Sequence, residues 1–268
     1  MYKIGFRTET NQNKQNDSTV VHKNTESARK SLVDVYFPDR HLTCSYYNDK
    51  FDLKLGDIVY VDGKLEGLRG RVTDINYTFK IKLSDYKRVI SVADTGVTGE
   101  IFMAGSHFIA NKPDVLPFEK VITWFKAPSE NEEFVSSTDN EKFLLEDLKG
   151  LKISNSTADL GHDYYMENRV IYIEIKDGNV RAIVNGGKPY EVEFNYRNGE
   201  ISGLVCNCYC TGTCKHEFAT LLQLRETLRL IDKEYGDKFY TDYLAVINKG
   251  VFFEFVIDNK SNGSFKLT

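Results

Sequence analysis

The sequence predicts an α+β fold, mostly antiparallel β, in which a small β-barrel precedes a β-meander that passes through a cysteine-rich loop into one covering helix. Three observations carry this expectation. Short apolar runs with period-two alternation, broken by Gly and Asp, recur from residue 32 to 98 and again from 169 to 206. Four of the five cysteines (Cys206, Cys208, Cys210 and Cys214) fall within nine positions, and His216 follows shortly after. Phe218, Leu221, Leu222, Leu224, Leu228, Ile231 and Tyr235 recur at three- and four-residue spacing, the period of an amphipathic helix over 217–235 that Gly236 stops.

A chain of 268 residues has room for two modest domains. Apolar residues at 41% say globular, and the 13% aromatic share suits a β-rich interior. No run reaches the roughly 18 apolar residues of a membrane helix. The opening Met-Tyr-Lys-Ile-Gly-Phe is too short and polar for a signal peptide, so a cytoplasmic protein is expected. Net charge is −4 and the pI is near 5.8. Residues 31–100 hold ten Lys/Arg against eleven Asp/Glu, and residues 166–235 hold nine against ten. Neither region is basic as a whole, so any phosphate contact would rest on a handful of placed cations.

In order, residues 1–30 read as a strand with Tyr2, Ile4 and Phe6 on one face, then a polar loop with a weak helical tendency over 25–31. Residues 31–98 read as the barrel. Val33, Val35 and Phe37 alternate, Pro38-Asp39 turns, and Leu42, Cys44 and Tyr46 alternate again, with Cys44 expected as a buried structural thiol. The runs 53–61 and 68–75 follow around Asp62-Gly63. Residues 99–165 are expected as a connecting region. It holds a short helix over 115–126 with Trp124 as a core anchor, an exposed acidic connector over 127–142, and a helical turn over 143–148. His107 and His162 stand isolated there and receive no role. Residues 166–236 carry strands over 169–176, 180–184 and 190–196, with hairpin turns at Asp177-Gly178 and Asn198-Gly199. Residues 237–268 are expected to form a helix over 239–247 and a hairpin of 251–257 with 264–267 about Asn262-Gly263.

The cysteine-rich loop carries the chemistry. Thiolate sulfur and imidazole nitrogen are the donors that zinc takes in a tetrahedron, and two donor pairs at the ends of a tight loop can close around one ion. Gly212 lies where such a loop turns. Disulfides fit poorly, because Cys-x-Cys neighbours make strained bridges and Cys44 would be left over. Two first pairs are open: Cys206 with Cys208, leaving five residues before Cys214, or Cys208 with Cys210, leaving three.

Cys-x-Cys, five residues, Cys-Lys-His and an apolar helix together resemble the SWIM-type zinc finger. The resemblance covers about 168–235 and implies Zn2+ held by Cys206, Cys208, Cys214 and His216, with Cys210 as the alternative ligand. It also implies a non-catalytic module that binds DNA or a protein and accompanies helicase-like ATPases, transposases and signalling proteins. The run Leu-Gly-Asp-Ile-Val-Tyr-Val61, followed by Gly-Arg-Val-Thr-Asp-Ile75, resembles the SH3-like barrels of translation and transcription proteins. Those bind nucleic acid, peptides or only a neighbouring domain.

Catalysis is not expected. Four ligands in one loop close the metal's coordination, and Glu217 is expected to project about 100° from the metal-facing side of its helix. The chain has no Gly-rich phosphate loop, no Gly-x-Ser-x-Gly and no His-Glu-x-x-His. Two interaction classes compete: DNA binding through Lys215, Arg225 and Arg229 with Arg69 and Arg71, and a protein-only adaptor. An enzyme with its site in 99–165 is the third class.

Overall fold

A computed structural model describes residues 3–5, 28–128, 142–239, 242–259 and 263–268. The polar loop and the acidic connector expected from the sequence fall almost wholly outside these residues. Two compact units result: residues 5–94 with 126–128, and residues 1–4, 95–125 and 129–268. The fold is mixed, with mostly antiparallel sheets.

The first strand, β1 (Lys3–Gly5), is an edge of the larger sheet. The first unit is a five-stranded antiparallel sheet of β2 (Ser31–Phe37), β3 (Leu42–Asn48), β4 (Ile58–Val61), β5 (Gly70–Asn76) and β6 (Val89–Val92), in the order β3-β2-β5-β4-β6. β2 alternates as predicted, whereas in β3 burial falls on Tyr46, Tyr47 and Asn48 together. Val33, Val35 and Phe37 point inward and pack with Tyr46, Leu53, Val59, Val61 and Val72. Cys44 is half-buried against this core and Leu42 is exposed. Tyr47 of the edge strand β3 forms an isolated parallel bridge to Arg88, just before β6, with the Tyr47 N–H donating to the Lys87 carbonyl at 2.9 Å.

The second unit is built on a ten-stranded sheet. Its further elements are β7 (Thr98–Ala104), β8 (His107–Ala110), α1 (Phe118–Val121), β9 (Lys142–Leu144), α2 (Asn155–Met166), β10 (Val170–Lys176), β11 (Asn179–Asn185), β12 (Pro189–Arg197), β13 (Glu200–Cys206), α3 (Lys215–Glu234), β14 (Tyr243–Asn248), α4 (Lys249–Phe252) and β15 (Ser264–Leu267). The sheet order is β1-β15-β7-β8-β14-β10-β11-β12-β13-β9. The meander β10 to β13 is antiparallel, as expected. Its turns place Asp177, Gly178, Asn198 and Gly199 at positive φ, the conformation that two-residue hairpin turns require.

α3 lies over the meander. Ala219, Leu221, Leu224 and Ile231 pack against Val170, Ile173, Val180, Val184, Val192 and Ile201. On the other face Glu174 is buried beside β11. Its carboxylate accepts from Arg181 at 2.7 Å, the Phe118 amide at 3.0 Å and the Tyr243 hydroxyl at 3.2 Å. Tyr172 also donates to the Leu116 carbonyl, at 2.5 Å, so this network pins the segment that leads into α1.

Four local expectations are corrected. Of the helix expected over 239–247, residues 243–247 form instead the strand β14, inserted between β8 and β10. Tyr243 to Ile247 are all buried, and a strand covered on both faces shows a continuous apolar run that spacing alone cannot tell from a helix. Residues 251–257 are not a strand but α4 and a π-turn, started by the Asn248 side chain accepting the Val251 N–H at 3.2 Å. The terminal hairpin is therefore absent, and β15 instead pairs parallel to β7. Residues 143–148 begin as the edge strand β9 rather than a helical turn.

Candidate metal centre

β13 ends at Cys206, and α3 begins immediately after Cys214. The loop between them reverses at Gly212, whose φ of 85° suits glycine. It brings together the ligand atoms of Cys206, Cys208, Cys214 and His216, all within 4.8 Å of one another. His216 Nδ1 stands 3.7 Å from both Cys206 Sγ and Cys214 Sγ. Bonds of about 2.1–2.3 Å to a tetrahedral ion give donor-to-donor edges of roughly 3.5–3.8 Å, so this spacing fits a bound metal. Cys210 is exposed and lies outside the group.

The helix start is part of the site. Cys214 is the N-cap of α3: its Sγ accepts the Glu217 N–H at 3.5 Å, while the Glu217 carboxylate accepts the Cys214 N–H at 2.6 Å. This is a capping box with cysteine in the place of serine. Glu217 is thus buried against its own helix terminus rather than projecting from it. The spacing Cys-x-x-Glu was the signal for this in the sequence.

His216 is 3% exposed and clasped by rings. Tyr190 of β12 stacks on it at 4.2 Å between centroids and 19° between planes, and Tyr164 of α2 meets it edge-on at 5.5 Å. Its Nε2 is buried and has no hydrogen-bond partner. A Cβ at Gly186 would stand 3.0 Å from that nitrogen, so only glycine lets the β11–β12 turn come this close.

The electrostatics suit a cation. Burial pushes the Cys208 thiol up to about 11. The hydrogen bond with Cys206, and then burial, hold the Cys214 thiol far above the ordinary range. Burial, with Lys215 adding to it, pulls His216 down to about 4. Three crowded thiols and a neutral imidazole form a donor set whose thiolate form a divalent ion would favour.

The cations expected to meet nucleic acid come from both units. Lys215, Arg225 and Arg229 lie on α3, with Lys215 Nζ 4.7 Å from the Tyr164 ring centre. Arg69 and Arg71 are half-buried in the other unit, Arg71 within β5. Among the described residues no helix is long and apolar enough to cross a membrane. Fold and site thus define a mixed α/β protein with a Cys3His cluster suited to a metal ion. No family model matches the chain, and neither a curated protein nor a solved structure matches it.

Proposed function

We propose that the cluster holds one structural Zn2+ and that the chain is a non-catalytic interaction module. In this reading a SWIM-type zinc region follows an SH3-like barrel, and the protein binds DNA or a protein partner such as a helicase-like ATPase. The observation that carries the reading is the convergence of three sulfurs and one imidazole nitrogen, all within 4.8 Å of one another, on the junction between β13 and α3. Cys206, Cys208, Cys214 and His216 would hold the ion, which would cross-link the end of β13 to the start of α3. A site with four protein donors has no open position for a substrate, and the Glu217 carboxylate is committed to the Cys214 amide rather than held for proton transfer.

Chelation tests the structural role. A strong chelator should abolish hydrogen-exchange protection from β12 through α3 and leave β2 to β5 protected. Unchanged protection in metal-free protein would refute it. The protein-only adaptor is the second reading, favoured by the net charge of −4. Retention on DNA at low salt, weakened by Arg225→Ala, selects the first partner class, and its absence selects the adaptor.

A further inference from the structure

A cleft of about 310 Å³ runs between α2 and α3, on the unit that carries the zinc cluster. Arg225, Arg229 and Lys233 line it from α3, and His162 and Tyr165 from α2, over a leucine floor. The three cations are four residues apart, so they follow one another along a single face at roughly 6 Å intervals. They are gathered rather than merely abundant, since the sequence around them holds nine Lys/Arg against ten Asp/Glu over 166–235. The one acid in the cleft, Glu226, already accepts the Tyr165 hydroxyl. Arg229 is paired with Glu146, but both side chains are 62% exposed, and a pair so exposed yields readily to a competing anion.

We propose that this cleft is a track for the phosphates of a single nucleic-acid strand. Evenly repeated cations on a rigid helix match the evenly repeated anion of a nucleic-acid backbone, whose bases also suit the rings beside them. One row of cations addresses one row of phosphates, whereas a duplex presents two rows across a groove of about 12 Å. The exposed His162 ring and the half-buried Tyr165 ring, 6.1 Å apart, offer faces on which a base can stack. The proposal rests on the reading of the chain as an interaction module and names its partner.

Fluorescence anisotropy with a labelled single-stranded oligonucleotide, as DNA and as RNA, tests it. Zinc content and thermal melting are read on the same samples. Three phosphate contacts predict a slope of log K against log salt near −2, at about −0.7 per contact on single strands. Arg225→Ala with Lys233→Ala should weaken binding at least tenfold and bring the slope to about −0.7, with melting unchanged. Lys233→Gln alone should remove one contact from the slope, and Arg197→Ala, outside the cleft, should change nothing. Equal binding by the double variant, preference for a duplex of the same sequence, or equal competition by polyglutamate overturns the proposal. So does a folded, zinc-loaded protein that ignores the strand, an outcome that leaves the module reading standing. Folded protein without zinc fails the module reading instead.

Discussion

At His216 the metal would take Nδ1, while Nε2 has no acceptor of the kind that usually orients a zinc-bound imidazole. The Tyr190 ring, stacked at 4.2 Å, does the orienting instead. Tyr190→Ala should therefore weaken zinc affinity by about 10–100-fold in chelator competition, while Tyr190→Phe keeps it. Across the sheet, Arg181 is the charge partner of buried Glu174. Arg181→Leu should cost about 3 kcal/mol in denaturant unfolding, because it leaves that carboxylate without its cation. His107 gives a pH dependence. It is 1% exposed, with Nε2–H donating to the Val170 carbonyl at 2.9 Å and Nδ1 2.9 Å from the Ser106 hydroxyl. Burial lowers its pKa below the ordinary 6.5, outweighing the Val170 bond and Glu226, while Lys249 adds to the lowering. Below 6.5 the unfolded chain binds a proton that the folded one resists, so stability present above that value is lost as pH falls. His107→Gln should make the drop in melting temperature from pH 7 to 5 shallower than in the parent. The Cys3His cluster was legible because its four residues lie close together in sequence. Tyr190 was not, since it reaches the site from another strand and its own run shows only alternation.

Among the elements, α3 and the meander were legible: their periods are clear and their turns carry Asp-Gly and Asn-Gly. α2 was not, having few apolar residues and a glycine at its centre. That glycine is what the packing needs, since a Cβ at Gly161 would stand 2.9 Å from the Phe218 ring and 3.0 Å from the Lys215 carbonyl. Gly161→Ala should force α2 away from the start of α3 at a cost of about 1–3 kcal/mol, despite alanine's higher helix propensity. A melt that rises instead would show that the helices do not need this approach. β14 was misread because its burial is a property of its place between β8 and β10, which no local pattern records.

Across the whole chain, the sheet that carries the Cys3His cluster draws on both sides of the meander in sequence. β7 and β8 precede it, β14 and β15 follow it, and β14 pairs directly with β10. A fragment of residues 166–236 should therefore remain unfolded by circular dichroism even with zinc, whereas residues 95–268 should fold. Long-range pairing of this kind was beyond the sequence, which suggested a meander sufficient in itself. The most direct measurement is metal content in purified protein. One zinc per chain is predicted in the parent and in Cys210→Ser, with loss of the metal in Cys214→Ser and His216→Ala. Metal-free parent protein that stays fully folded, or zinc lost with Cys210→Ser and kept with Cys206→Ser, would contradict the account.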